Sequence, residues 1–313
     1  MMKRMGAAYS LLLAVMCSQL VAQGDRGATS VRFDGYIQPR SEMTDDSAVF
    51  FLRRARVGLQ GQAAAWADYR LLTEWRSGSG AASTVSLLDA YVQLTEKKWS
   101  FLLGQSKTPF SGGFLQNEHE YEMPELPMAV DVLAPGRDIG ARIEYRGIRR
   151  ATLQGGVFNG EGMNRTSNNN RKLLLLARGV FTLQNGLQLG VSGGMEDNED
   201  YLGAEAGYAH REFEVRGEYI QRKAGAGAGV KAAGWYVFGG YTPRRSRWQI
   251  VGRYEEFDPN DAGNNDKLTA ITGGAQWLLR GDNVKLQTTY TIVNEEGGSI
   301  PNNRAVAQLQ LRF

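Results

Sequence analysis

Apolar and polar residues trade places at nearly every step over Val31–Gln38, Phe50–Gln60, Ala65–Arg76, Thr84–Thr95 and Trp99–Lys107. This period of two predicts strands whose faces see different surroundings. Phe50–Gln60 sets Ala55, Val57 and Leu59 against Arg54, Arg56 and Gln60. Ala65–Arg76 sets Tyr69, Leu71 and Trp75 against Asp68, Arg70, Glu74 and Arg76, and Thr84–Thr95 sets Leu88, Ala90, Val92 and Leu94 against Asp89, Tyr91 and Gln93. A soluble sheet can carry one such pair of faces. Charge at every second position of successive strands implies a wet interior behind an apolar exterior. The pattern resumes at Asp138–Arg146. It continues through Ala151–Asn159, Lys172–Leu183, Leu187–Met195, Tyr201–His210, Glu212–Gln221, Gly234–Tyr241, Arg247–Glu256, Lys267–Leu278, Asn283–Val293 and Arg304–Phe313. The expected fold is all-β, a transmembrane antiparallel β-barrel of about 16 strands, an even number within the bacterial range.

The connections alternate in length, as a barrel with both ends of the chain in the periplasm requires. Long outer loops are expected at Pro39–Val49, Ser77–Ser83, Thr108–Arg137, Gly160–Arg171, Glu196–Asp200, Arg222–Ala233, Asp258–Asp266 and Asn294–Asn303. Short periplasmic turns are expected at Gly61–Ala64, Glu96–Lys98, Gly147–Arg150, Gln184–Gly186, around Arg211, at Thr242–Ser246 and at Leu279–Asp282. Charge divides the same way. Lys97, Lys98, Arg149, Arg150, Arg211, Arg244, Arg245 and Arg280 fall in the turns, whereas Glu118, Glu120, Glu122, Glu125, Glu196, Asp197, Glu199, Asp200, Asp258, Asp261, Asp266, Glu295 and Glu296 fall in the loops. Such an acidic rim suits divalent cations that bridge surface lipopolysaccharide. Aromatic residues near strand ends (Trp75, Trp99, Tyr145, Tyr241, Trp248 and Trp277 among them) fit interfacial girdles.

Composition agrees with this picture and narrows it. Thirty-nine glycines, 8 prolines and 10% aromatic residues suit a turn-rich β-protein. After residue 24 no apolar run approaches the ~18 residues of a spanning helix, so membrane insertion has to use strands. Residues 1–22 read as a secretory signal: Lys3 and Arg4, an apolar core from Ala7, and a cleavage region at Val21-Ala22-Gln23. The barrel domain is then 23–313. The only cysteine, Cys17, lies in the signal, so the mature chain has no disulfide or thiolate metal site. Losing Lys3 and Arg4 takes the formal charge from +3 to +1. No cofactor, metal constellation or nucleic-acid footprint is expected.

Four motifs then occur in one order: FLRRAR (Phe51–Arg56), LLDAYV (Leu87–Val92), GQSKTPF (Gly104–Phe110) and APGRDIG (Ala134–Gly140). Together with GVFNGEG (Gly156–Gly162), GWYVFGGY (Gly234–Tyr241) and RYEEFDP (Arg253–Pro259), the chain resembles the phosphate-selective porin O and P family. The resemblance implies a homotrimeric outer-membrane channel for passive diffusion of small hydrophilic solutes, with residues 108–137 folded inward as a constriction. By motif position, pore and anion contacts fall on Arg53, Arg54, Arg56 and Lys107, with Asp89 nearby; Arg137 and Arg142 complete the candidate set. Several shared Arg and Lys contacts can replace an anion's lost hydration without trapping it. Arg53 has lipid-facing parity, so it reaches the lumen only through a bulge or stays at the interface. Lys107 shares parity with Phe101 and Leu103 and needs a break near Gly104 to turn inward.

The inward positions mix Arg54, Arg56, Arg70, Arg76, Arg142, Arg178, Arg216, Arg253 and Lys285 with Asp68, Glu74, Asp89, Glu144, Glu205, Glu214, Glu218 and Glu255. A wall so balanced, below an acidic third loop that repels anions, predicts a general or mildly anion-preferring pore. The alternatives are a non-conducting structural or adhesin-like barrel, and a barrel enzyme. An enzyme needs a positioned base beside a nucleophile. The two histidines fall in the third loop (His119) and beside a turn (His210). His119 reads as a solvated loop residue or, against Glu118 or Glu120, as a pH-sensitive plug.

Overall fold

A computed structural model describes residues 30–77, 83–168, 171–225, 229–263, 266–298 and 303–313. The expected signal at 1–22 and the first residues of the barrel domain lie outside the described residues. Sixteen strands close into one antiparallel barrel in sequence order. They are β1 (Ser30–Thr44), β2 (Ala48–Ala64), β3 (Ala67–Ser77), β4 (Ser83–Glu96), β5 (Trp99–Lys107), β6 (Arg137–Tyr145), β7 (Ala151–Phe158) and β8 (Leu174–Thr182), followed by β9 (Gln188–Glu196), β10 (Glu199–His210), β11 (Phe213–Ala224), β12 (Val230–Tyr241), β13 (Trp248–Asp258), β14 (Leu268–Asp282), β15 (Val284–Glu295) and β16 (Arg304–Arg312). β16 closes on β1 with Thr44 opposite Arg304 and Tyr36 opposite Arg312. Closure leaves no edge strand, so every ladder is satisfied without water.

Each stretch of alternation is a strand, but three connections differ from expectation. Pro39–Val49 is no long loop: β1 and β2 continue through it to a turn where the Thr44 amide donates to Ser47 O at 2.8 Å. Pro39 stands where the register shifts between Gln38 and Pro39, a bulge of the kind that accommodates a residue without an N–H donor. Glu196–Asp200 is likewise a tight turn, with only Asp197 and Asn198 between β9 and β10. Arg222–Ala233 is shorter too, because β11 and β12 stay paired out to Ala224 opposite Val230. At Leu279–Asp282 the expected turn is present: the β14–β15 ladder ends with Leu278 opposite Lys285, and the Asn283 amide donates to Arg280 O at 3.2 Å.

The outward face carries large exposed apolar residues, including Phe33, Phe50, Val191 and Ile250. In water such a surface would drive association; against lipid it is the expected exterior. Ring pairs Trp99–Tyr145 (4.3 Å), Phe213–Tyr241 (4.6 Å) and Trp248–Trp277 (5.3 Å) stand beside the short turns, at the barrel end that carries Ser30 and Phe313.

The interior holds the long segment between β5 and β6, with two short helices, α1 (Gly112–Leu115) and α2 (Met128–Leu133). Its base is closed where the Thr108 amide and hydroxyl both donate to Gly136 O, at 3.1 and 2.8 Å. From this segment Phe110, Met123, Ala129, Val130 and Leu133 pack against inward-facing Phe158, Leu174, Leu176, Tyr201, Ile220, Tyr236, Phe238, Val251 and Phe257. A hydrophobic core therefore lies inside the barrel along β7–β13.

Candidate functional site

The segment 108–136 crosses the lumen and meets the wall carboxylate by cation. Glu118 is the hub. Its Oε2 accepts from Arg56 Nη1 at 2.6 Å, and its Oε1 lies 3.3 Å from Lys107 Nζ and 3.4 Å from Arg137 Nη1. Burial opposes the charged form of Glu118, but Arg56, then Lys107 and Arg137, outweigh it and hold the carboxyl well below its ordinary range. Glu125 is similar: burial raises it, yet Arg40 and Arg53 bring it down to about 2. Glu122 forms a two-pronged pair with Arg216, whose guanidinium sits 3.9 Å over the Phe238 ring. These three glutamates are thus inside the barrel and paired, not on an acidic rim, because the loop that carries them folds inward. On the rim itself Glu199 is bound by Arg222 at 2.9 Å.

The wall returns the favour with its own carboxylates, which take backbone donors of the loop. Glu205 accepts from the Gly112 amide at 2.6 Å, Glu218 from Gly113 at 3.2 Å, and Glu255 from Met128 at 2.6 Å. A Cβ on Gly112 would lie 2.7 Å from Glu205 Oε1, so a side chain there would displace the carboxylate that holds the loop amide. Across the lumen a belt of buried glutamines does the rest. Gln38 donates to Gln310, and Gln308, Gln287, Gln276 and Gln249 bond in succession, along β1 and β16–β13. From that belt Gln310 donates to His119 O (2.9 Å), while Gln287 and Lys285 both donate to Tyr121 O (2.8 Å each).

Arg53 is the extra residue of the bulge: Gln38 pairs with Arg54 and Pro39 with Leu52. Its Nη2 reaches Glu125 Oε2 at 3.5 Å. Arg54 is buried and donates to Gln38 Oε1 at 3.1 Å. Arg56 also donates to Glu74 at 2.5 Å, and Arg137 to Asp89 at 2.9 Å. Lys107 donates to Phe114 O and Gln116 O, 2.7 Å each. The alternation of β5 breaks at Gly104, whose φ of +128° no side chain tolerates and whose added Cβ would lie 2.2 Å from Ala90 O. Gln105 and Ser106 beyond it are both buried. Arg142 donates to Lys107 O at 3.3 Å and makes no carboxylate pair among the described residues.

A cavity of about 400 Å³ lies between the loop's Leu115–His119 stretch and β1–β6. It runs from Asp34, Gln60 and Arg312, near the end bearing the termini, to Lys107 and Arg137, where the loop leaves and rejoins the wall. Six cationic side chains line it (Arg56, Arg70, Lys107, Arg137, Arg142 and Arg312) against three carboxylates (Asp34, Asp89 and Glu118). His119 also lines it. It is not solvated: its side chain is 13% exposed, Nε2 is 3.5 Å from Glu120, and the ring is 5.8 Å from that of Tyr36. Burial, then Arg312, push its pKa below the ordinary value, so near neutral pH it is uncharged.

Sequence reasoning missed the apolar inner wall and the glutamine belt. Both had a signal. Leu174 and Leu176, Tyr236 and Phe238, and Gln308 and Gln310 each fall two apart on inward parity.

Among solved structures, the barrel is similar to OmpT of Vibrio cholerae in its trimer form, at 10% identity and a TM-score of 0.69, covering 92% of this chain and all of that one. It is also similar to the anion-selective porin from Comamonas acidovorans, at 13% identity and 0.68, covering 91% and 100%. A variant of the Rh. blastica porin matches at 13% and 0.64, with 91% and 100% covered. These likenesses concern the fold. No curated protein sequence matches. The family model described as phosphate-selective porin O and P matches residues 30–201 and 186–313. The chain belongs to the phosphate-selective porin O and P family and is a porin of the bacterial outer membrane.

Proposed function

We propose that the barrel passes small hydrophilic solutes by passive diffusion along the β1–β6 side of the lumen, with a mild preference for anions such as phosphate. One observation carries this reading: the open space beside the loop is lined by six cations and three carboxylates. The excess is positive but mostly paired, so the field favours anions without a deep trap. The segment 108–137 is the constriction. Arg142, which donates to Lys107 O at 3.3 Å, keeps more freedom than Arg56, Arg70, Lys107 and Arg137, whose donors are engaged by the loop and wall. A homotrimer, a cleaved signal at 1–22, and lipid and lipopolysaccharide contacts at the outer surface complete the reading. It is a pore and not an enzyme: His210 stacks on Tyr208 and His119 faces Tyr36 and Glu120.

Purified protein added to planar bilayers should give step-like conductance, and a salt gradient should give a reversal potential on the anion side. A silent bilayer would favour a plugged structural barrel, for which the core packed inside the lumen along β7–β13 speaks. A strong cation preference would remove the anion-leaning part.

A further inference from the structure

We propose that Glu118 is a built-in competitor for the pore's anion contacts at Arg56, Lys107 and Arg137, and that small oxyanions cross the constriction by exchanging with this tethered carboxylate. The inference rests on the pore reading above and deepens it, naming the residue that keeps the preference mild. A carboxylate is two oxygens of an oxyanion on a leash. Glu118 places them 2.6 Å from Arg56 Nη1 and 3.3 and 3.4 Å from Lys107 Nζ and Arg137 Nη1. A phosphate or sulfate oxygen would need the same three partners.

The three cations do not depend equally on Glu118. Arg56 and Arg137 each keep a wall carboxylate, Glu74 and Asp89, when Glu118 leaves. Lys107 pairs with no other carboxylate among the described residues. Release of Glu118 therefore uncovers one net positive charge at the cavity's edge, in partly desolvated surroundings where an unmatched charge is costly. An arriving anion relieves that cost. The exchange asks only for rotation of the Glu118 side chain, because the neighbouring His119 carbonyl is held by Gln310 and keeps the backbone in place.

The test uses the full-length protein in planar bilayers, with chloride as current carrier and inorganic phosphate added as competitor. Glu118→Gln should raise anion selectivity and lower the phosphate concentration for half-inhibition of chloride current by roughly tenfold, the effect of one charge-assisted contact. Glu118→Asp keeps the charge but shortens the reach. It should leave the reversal potential near wild type while also sensitising the channel to phosphate. Heat-modifiable migration in electrophoresis establishes that each variant is a folded barrel. A shift in reversal potential with unchanged phosphate inhibition in both variants would reduce Glu118 to a wall charge and overturn the inference. Absence of conductance in all three proteins would overturn the pore reading itself.

Discussion

On the β7–β13 side of the lumen, Val130 and Leu133 sink among Ile220, Tyr236 and Phe238; on the opposite side, Glu118 and the carbonyls of His119 and Tyr121 meet arginines, lysines and glutamines. The first contact is non-directional and excludes water, so it fixes where the loop lies without leaving a path. The second is directional and borders the cavity along β1–β6, so it can hold the loop and still flank the proposed lane for ions. One barrel thus divides its interior into an anchor and a passage.

The largest effect should come from breaking the anchor. Val130→Asp buries an unpaired carboxylate in the apolar half, where the desolvation penalty is several kcal/mol. The loop should leave its seat, and single-channel conductance should rise severalfold while the barrel keeps its heat-modifiable migration. Unchanged conductance would mean that the polar contacts alone hold the loop.

Next in size is Arg56→Ala. It leaves Glu118 to Lys107 and Arg137 and leaves Glu74 to Arg76, so the loss falls below the figure of about 3–5 kcal/mol for a buried charge left wholly unpaired. Reversal potentials should move toward cations and open-channel noise should grow. Arg54→Ala should do much less, since its bond is to Gln38 and its nearest carboxylate oxygen is 3.9 Å away. Equal effects from the two would contradict the central place of Glu118.

Gln310→Leu removes one donor to the loop backbone and leaves the His119 carbonyl unsatisfied, at a cost of about 1–3 kcal/mol. Brief current fluctuations should become more frequent with little change in selectivity. A shift in selectivity instead would place the glutamine belt in the ion path.

The barrel was legible in the sequence because its cause is local: each strand has one face in lipid and one inside, and period two records that directly. Arg53 and Lys107 were not legible in this way. Their direction depends on a bulge opposite Pro39 and on the backbone turn at Gly104, which parity can mark as awkward but cannot resolve. The loop's acids were misplaced for a related reason. Glu118, Glu122 and Glu125 look like a repelling cluster until the partners contributed by Arg56, Arg216 and Arg40, from distant strands, are known.

The smallest effect should come from acidification, and its sign follows from His119. Burial and Arg312 hold its pKa below the unfolded value near 6.5, so the unfolded loop takes up a proton before the seated one does. The seated state is fully favoured above pH 6.5 and loses stability as pH falls through the depressed value, an effect kept small by the opposing pull of Glu120. Glu118 and Glu125 act in the same direction but further down: their contribution is intact above the ordinary carboxylate range, and Glu125 loses its share only as pH approaches about 2. Lowering pH from 7 to 5 should therefore raise the frequency of conductance fluctuations slightly in the wild-type channel. His119→Gln, neutral at every pH, should abolish that rise and leave the response below pH 4 intact. If the variant keeps the same slope between pH 7 and 5, the loop's sensitivity belongs to other groups and His119 is packing for Tyr36 alone.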